Sequence, residues 1–281
     1  VFKRIREDVE EYKELKEEAE RCMSAIIGHG GRGYSHEGLS IMAYLSRPDE
    51  FRKRVRMLRN LVDYTKKFSS MISPSLQKQQ IVSTFGGIHS LGVMQNHKQI
   101  QDLALTEYVM PKELFVLRIL TKRANVYQRA ITMKPVVFVD KSGSMGELMP
   151  SREGRRVEKI AGACGLALAL YMKLNTDVYL FDTEVEKVTP AEVVKTLLTL
   201  RAVGGTRIEE VLEEITRRGR KDEQYIIITD GIDEPPEEAI EKTKKYNVKF
   251  ILIPPARESE WLKNNFKYEK IEYVEDLIKS I

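Results

Sequence analysis

Three side chains with oxygen donors follow an apolar stretch near the middle of the chain. The sequence VVFVDKSGSM places Asp140, Ser142 and Ser144 directly after four apolar residues. Strands commonly end in polar turns, so this stretch alone does not establish a site. Carboxylate and hydroxyl oxygens are, however, the ligands that hard cations prefer. The stretch is therefore either an ordinary polar turn or one part of a binding site.

Two further segments supply side chains of the same kind. The sequence VGGT ends in Thr206, and IIITDG contains Asp230 directly after a second apolar run. Asp182 ends a third such run. If these runs are parallel strands, their carboxyl ends meet at one edge of a sheet, where ligands of such sheets bind. Carboxylates that share an edge repel one another unless they are protonated, paired or bridged by a cation, which is a first reason to expect a metal.

The elements needed to bring these segments together are predicted by the second half of the chain. Near-continuous apolar runs alternate with helical patterns, as a parallel sheet covered on both faces requires. The predicted strands lie at 136–140, 177–182, 224–229 and 248–254, with a hairpin strand at 185–189 and a last strand near 270–274. The predicted helices lie at 155–174, 191–200, 207–218 and 236–246.

The first half of the chain has a different pattern, which is mainly helical. Helical spacing and first-turn prolines predict helices over 2–27, 48–72, 96–106 and 111–131, with glycine-containing loops at 28–36 and 83–92. The pattern changes at Pro135. We therefore predict a helical N-terminal domain over 1–133 and an α/β domain over 134–281, whose doubly wound sheet is mostly parallel.

The segments DxSxS, GGT and TDG, in this order, resemble the metal-ion-dependent adhesion site of von Willebrand factor A domains. The resemblance covers the α/β half of the chain. It implies a Rossmann-like fold and a metal site formed by Asp140, Ser142, Ser144, Thr206 and Asp230. It also implies an open metal position that is filled by an acidic residue of a protein partner.

The chemistry of these five residues agrees with that resemblance. Two carboxylates and three hydroxyls are hard oxygen donors, and no imidazole or thiolate is among them. This donor set suits Mg²⁺ or Mn²⁺ and disfavours Zn²⁺. We expect the metal to bridge to a partner and not to catalyse a reaction.

The helical segment before the first strand is similar to the N-terminal region of cytosolic proteins of the CoxE/ViaA type. It contains MPKEL and continues through ANVYQ to the metal motif. In those proteins a helical region precedes a C-terminal von Willebrand A domain. The resemblance implies a partner, a MoxR-type AAA+ ATPase, and a role in chaperone-like remodelling or metal-cofactor insertion.

Composition limits the remaining classes of function. No run of about 18 apolar residues occurs, so no membrane span is predicted. The two cysteines form no CxxC pair, which fits a reducing, cytoplasmic setting. Residues 1–133 carry a net charge of +7 and residues 134–281 one of −3. The basic face at 52–59 indicates a solvated or docking surface more than a nucleic-acid site, with an acidic surface of an ATPase as the functional alternative.

Other classes of protein fit the sequence less well. A phosphatase of the haloacid-dehalogenase type needs a second acid two residues after its nucleophile, where this chain has Ser142. The glycine-containing segments lack the GK[ST] ending of a phosphate-binding loop. We therefore predict a binding protein and not an enzyme. A metal-dependent scaffold or component of a nucleic-acid complex without an ATPase is the alternative, and the oligomeric state is left open.

Four residues near the motifs have expected roles of their own. Lys141 is predicted to point to solvent or to a partner, and Asp182 to hydrogen-bond the loops of the site. Asp233 is predicted as an acidic residue at the start of the helix after Pro235, with a contribution to the site as the alternative. Gly162, with other small residues, is predicted to let the helix at 155–174 approach the sheet closely.

Overall fold

Helices form the N-terminal part of the chain, as predicted. In the computed structural model, α1 spans Phe2–Ile27, α2 spans Ile41–Ser46 and α3 spans Pro48–Met71. The structure describes residues 2–27, 41–72, 88–94, 103–129, 134–231, 233–256 and 258–280. Among the helices in these ranges, none has both the length and the apolar character needed to cross a membrane.

The basic face of α3 is partly covered by the acidic helix α1. Arg52 donates to both carboxylate oxygens of Glu11, at 2.5 and 2.8 Å. Arg59 lies 2.9 Å from Glu18. Such bidentate and paired contacts fix the register of two helices, although exposed pairs contribute little free energy. At these positions the basic face therefore serves to dock α3 on α1.

Residues 73–134 form a compact unit of their own. Its described elements are β1 (Ile88–Val93), α4 (Leu105–Tyr108), α5 (Lys112–Leu120) and β2 (Asn125–Arg129). β1 and β2 pair in antiparallel fashion. The buried carboxylate of Glu107 accepts two hydrogen bonds from Arg118 and one from the Asn125 N–H.

Two predictions for this segment are wrong. The helix predicted over 111–131 ends at Leu120, because the chain turns through a left-handed residue, Lys122 (φ 56°), and then enters β2. Part of the loop predicted at 83–92 is the strand β1, which pairing with β2 stabilises. Of the helix predicted over 96–106, residues 103–106 are described, and the helix α4 begins only at Leu105. The loop predicted at 28–36 lies outside the described residues.

A six-stranded sheet forms the centre of the second half of the chain. Its strands are β3 (Lys134–Asp140), β6 (Asp177–Phe181), β7 (Val185–Lys187), β8 (Glu223–Thr229), β9 (Asn247–Leu252) and β10 (Lys267–Lys270), and β4 (Leu148–Pro150) and β5 (Arg156–Glu158) form a separate hairpin. The sheet order is β10-β9-β8-β3-β6-β7. β10, β9 and β8 pair in parallel, as do β3 and β6, and β7 is an antiparallel edge strand. The predicted α/β fold with a mostly parallel sheet is confirmed.

The last strand lies earlier than predicted. It ends at Lys270, and residues 274–278 form a 3₁₀ helix instead of strand. At the start of that helix the Asp276 N–H donates to the Tyr273 carbonyl oxygen at 2.9 Å and the Tyr273 N–H donates to Asp276 Oδ2 at 3.3 Å, and Val274 and Leu277 are fully buried. The apolar residues of KIEYV therefore pack as a terminal turn and do not extend the sheet.

Helices cover both faces of the sheet. They are α6 (Lys159–Leu174), α7 (Val193–Thr199), α8 (Ile208–Arg218), α9 (Glu237–Thr243) and α10 (Glu260–Asn265). Along β3, Val137 and Val139 pack into one buried cluster with α6, whereas Val136 and Phe138 pack into another with α8. This alternation follows from the two-residue period of a strand and explains the unbroken apolar sequence.

The glycines of α6 approach other helical elements and not the sheet. A Cβ added at Gly165 would lie 3.1 Å from Cβ of Tyr64 and 3.3 Å from the Leu61 carbonyl oxygen, both in α3. A Cβ at Gly162 would lie 2.4 Å from Val274 in the terminal turn. Because α3 packs this closely on α6, residues 1–72 cluster with 135–281 in one compact unit. This division differs from the predicted consecutive domains 1–133 and 134–281.

A buried carboxylate joins three segments on this side of the unit. Glu275 accepts hydrogen bonds from Ser151 Oγ at 2.7 Å, the Arg152 N–H at 3.0 Å and Tyr64 Oη at 3.1 Å. Lys67 lies 3.3 Å away. Burial alone would raise the pKa of Glu275, but these donors outweigh it and lower the pKa to about 2. The ionised carboxylate therefore links α3, the hairpin loop and the C-terminal turn.

Gly165→Leu tests the close packing of α3 on α6. The added side chain has no space against Tyr64 and Leu61, so we expect the free energy of unfolding to fall by about 2 kcal/mol. Urea denaturation measures the change. Met172→Leu, at an exposed position of the same helix, is the control and should change little. Equal stability of the two variants would show that α3 does not pack on α6 in this way.

Glu275→Gln tests the buried carboxylate through the pH dependence of stability. Because the pKa of Glu275 is lowered from 4.5 to about 2, its contribution is complete above about pH 4.5 and is lost as the pH falls toward 2. The variant should be less stable than the wild type at pH 7, and this difference should shrink at pH 3. Urea denaturation at both pH values measures it, with the exposed Glu272→Gln as control. A difference that does not change with pH would contradict the assigned role.

Candidate metal centre

The carboxyl ends of the neighbouring strands β3 and β8 bring two aspartates to one edge of the sheet. Asp140 is the last residue of β3 and is fully buried. Asp230 follows the last residue of β8 and is 6% exposed. From β3 the chain continues to β6 on one side, whereas β8 lies on the other side of β3. Open α/β sheets bind ligands at the point where the strand order reverses in this way. Both aspartates thus lie where the sequence predicts them.

Asp140 is held by hydroxyl and backbone donors. Its Oδ1 accepts the Ser142 N–H at 2.8 Å, and its Oδ2 accepts the Thr229 hydroxyl at 2.5 Å and the Thr206 hydroxyl at 3.4 Å. Burial raises the pKa of Asp140 to about 6, although the hydrogen bonds from Thr229 and Ser142 oppose it, and the charge of Asp230 adds to the increase. The hydrogen bonds to Asp140 thus offset only part of the cost of burying its negative charge beside that of Asp230.

The two serines connect the aspartates to each other. The hydroxyl oxygens of Ser142 and Ser144 are 3.2 Å apart. Ser144 donates to Asp230 Oδ1 at 2.7 Å. Ser142 is buried, whereas Ser144 is exposed, so the cluster opens to solvent at Ser144. All five residues predicted for the site are therefore brought together by the structure.

A glycine conformation positions the loop that carries Thr206. Gly204 has a φ of +102°, which side chains rarely adopt, and a Cβ there would lie 3.0 Å from Asp182. Its carbonyl oxygen accepts the Gly143 N–H at 3.0 Å, which ties the loop to the DxSxS turn. A Cβ at Gly231 would lie 3.2 Å from the Thr206 hydroxyl. The glycines of GGT and TDG thus allow a close approach of backbone and hydroxyl groups.

A buried lysine that the motifs do not include also reaches the site. The ammonium of Lys159, at the start of α6, lies 2.6 Å from Asp230 Oδ2 and 2.8 Å from Glu147. Burial opposes its charge, but the hydrogen bonds that the ammonium donates to Asp230 and Glu147 outweigh burial and raise the pKa of Lys159. The sequence contains a signal for a buried lysine here, because the twelve residues that follow Lys159 in its helix are all uncharged. Thr229, which donates to Asp140, was also not predicted.

Two neighbouring residues, Lys141 and Asp182, have contacts that refine or correct their expected roles. Lys141 does not point freely to solvent, since its ammonium lies 3.6 Å from Asp182 and 3.7 Å from Glu186. The Asp182 carbonyl oxygen accepts the Arg207 N–H at 2.8 Å, which confirms its contact with a loop of the site.

Asp233 caps a different helix from the one predicted. Its Oδ1 accepts the Ile208 N–H, the first of α8, at 2.9 Å, whereas the helix after Pro235 begins at Glu237. A carboxylate at this position satisfies an otherwise free N–H and complements the helix dipole. Asp233 therefore holds the start of the helix that directly follows Thr206.

The donor atoms are chemically suited to a hard divalent cation. Adjacent ligands in an octahedron with bonds of about 2.0–2.1 Å are about 2.9 Å apart. The oxygen separations in the cluster, at 2.7 Å (Ser144–Asp230), 3.2 Å (Ser142–Ser144) and 3.4 Å (Thr206–Asp140), bracket that value. Within the described ranges no group of three or more His, Cys, Asp or Glu side chains could hold a metal, and this cluster has two carboxylates, so it would need its hydroxyls as further ligands. These residues fit Mg²⁺ or Mn²⁺.

Comparison with known proteins gives similarities of fold only. Neither a protein-family model nor a curated protein matches the sequence. The structure is similar to a von Willebrand factor type A protein from Catenulispora acidiphila (19% identity, 52% of this chain, 40% of that chain, TM-score 0.39). It is also similar to an uncharacterised membrane-spanning protein from Vibrio fischeri (18% identity, 52% of this chain, 93% of that chain, TM-score 0.26). A third similar structure is the Ro (RSR) protein of Deinococcus radiodurans (12% identity, 96% of this chain, 52% of that chain, TM-score 0.41). This chain spans about half or less of the length of the first and third proteins. Sequence identities and TM-scores this low do not indicate a shared function.

Proposed function

We propose that this protein is a metal-dependent protein-binding module of the von Willebrand factor A type. The observation that carries the proposal is the convergence of Asp140, Ser142, Ser144, Thr206 and Asp230 at one sheet edge, connected by hydrogen bonds. The group that fits them is Mg²⁺ or Mn²⁺. When bound, such a cation supplies positive charge and a coordination position for a carboxylate.

The surroundings of the cluster support a partner that approaches from solvent. Ser144 is exposed, and so are Gly143 and, on the opposite loop, Val203, Gly204 and Gly205. An acidic side chain of another protein has access to the hydroxyl side of the cluster there. Its carboxylate would complete the oxygen ligands of a hard cation. We therefore propose that the partner offers an Asp or Glu residue, and that this chain binds and does not catalyse.

The identity of the partner rests on the sequence resemblance to CoxE/ViaA-type proteins. We propose a MoxR-type AAA+ ATPase, with a role in chaperone-like remodelling or metal-cofactor insertion in the cytoplasm. A metal-dependent scaffold without an ATPase has the same site and differs only in what it binds. Copurification of an AAA+ ATPase distinguishes these two. A phosphatase of the haloacid-dehalogenase type is a third candidate, which a phosphatase assay tests.

Metal binding should stabilise the folded protein. A ligand that binds only the folded state at 100 times its dissociation constant adds about 2.7 kcal/mol, so Mg²⁺ or Mn²⁺ at millimolar concentration should raise the Tm by several degrees. Ser144→Ala should remove most of this shift, because the exposed hydroxyl is one of the donors. Ser70→Ala, exposed on α3, should retain it.

Differential scanning calorimetry with EDTA and with added metal measures these shifts. The proposed site would be contradicted by a wild-type protein whose Tm does not respond to either metal. A shift that is equal in Ser144→Ala and wild type would place the metal elsewhere.

Partner binding should require both the metal and the site. In a pulldown with tagged protein, we expect the partner to be retained with Mg²⁺ and lost with EDTA. Asp140→Ala should lose it in both conditions while keeping its circular dichroism spectrum, and Ser70→Ala should behave as the wild type. Retention in EDTA, or by folded Asp140→Ala, would show that binding uses another surface.

A further inference from the structure

Lys159 places an ammonium group within the candidate metal centre. Its side chain is 2% exposed, and its ammonium lies 2.6 Å from Oδ2 of Asp230, whose side chain is fully buried. It also donates to the Ser144 carbonyl oxygen at 3.3 Å and to Glu147 at 2.8 Å. Lys159 thus contacts both Ser144 of the DxSxS segment and Asp230 of the TDG segment, although it is not part of the metal motif.

The position of Lys159 changes the charge that the cluster presents. Asp140 and Asp230 together carry two negative charges, and the ammonium compensates one of them. A divalent cation then leaves one positive charge in excess, whereas without the lysine it would leave the cluster neutral. Glu147 contributes less, because its side chain is 64% exposed and solvent screens its charge. Charges a few ångströms apart in a buried setting interact more strongly than in water.

We propose that Lys159 weakens the binding of the metal and strengthens the binding of an acidic ligand to the metal-loaded protein. This inference rests on the proposed function. The ammonium holds Asp230 Oδ2, so that Oδ1 alone faces the Ser144 hydroxyl. It repels a second cation and leaves the loaded site with the positive charge that attracts a carboxylate.

A purely structural lysine would behave differently. If Lys159 only compensated the buried Asp230, its loss would lower the free energy of unfolding without a gain in metal affinity. The two roles therefore differ in the sign of the effect on metal binding.

The experiment measures Mn²⁺ affinity by electron paramagnetic resonance and acetate binding to the Mn²⁺-loaded protein by relaxation of the acetate methyl protons. Lys159→Met should bind Mn²⁺ at least about threefold more tightly and acetate at least about threefold more weakly than the wild type. Glu147→Gln, at an exposed position, should shift both affinities in the opposite direction by a smaller factor. Lys141→Met is the control, since its ammonium pairs with Asp182 and Glu186 instead.

The outcomes separate this inference from the function on which it rests. If Lys159→Met binds Mn²⁺ as the wild type does or more weakly, or if Lys141→Met has the same effect, the role of Lys159 is refuted while the metal site stands. If Lys159→Met does not fold, Lys159→Gln, which keeps an N–H donor for Asp230 and removes the charge, is measured in its place with the same expected shifts. Wild-type protein that binds no Mn²⁺ would refute both the inference and the proposed function.

Discussion

Two buried carboxylates at the ends of neighbouring strands are the constraint on which this structure depends. Asp140 ends β3 and Asp230 follows β8, and the apolar residues of both strands fill the core on both faces of the sheet. Burying two like charges together is costly unless donors and cations compensate them. The hydroxyls of Ser144, Thr206 and Thr229 and the ammonium of Lys159 supply part of that compensation. A divalent cation would supply the rest, which is the physical basis of the proposed function.

The helical packing on one face of the sheet fixes where Lys159 lies. Lys159 is the first residue of α6, and α6 is held between α3 and the C-terminal turn by contacts at Gly165 and Gly162. The preceding residue, Glu158, accepts a hydrogen bond from Asn60 of α3 at 3.0 Å. The N-terminal helices therefore support the element that carries the cation of the site, although the sequence pattern places them in a separate domain.

Much of the fold follows from local sequence, whereas the set of five site residues is what the resemblance of the DxSxS, GGT and TDG segments to the von Willebrand A metal site implies. Apolar runs of strand length predict a covered parallel sheet, and three of them, ending at Asp140, Asp182 and Asp230, predict the edge at which its loops meet. Features that depend on contacts between distant segments were missed. The pairing of β1 with β2, the ion pair of Lys159 with Asp230 and the cap that Asp233 provides to α8 each join residues far apart in sequence. Periodicity carries no information on such pairs, and the segment that contains β2 was therefore predicted as helix.

The most direct test of the central claim is to locate the metal. A crystal grown with Mn²⁺ and measured at the manganese absorption edge shows the ion by its anomalous scattering. The account predicts one peak at the end of β3 and β8, within coordination distance of the Ser142 and Ser144 hydroxyls and close to Asp140, Thr206 and Asp230. A well-ordered site without a peak, or a peak held by other residues, would contradict it.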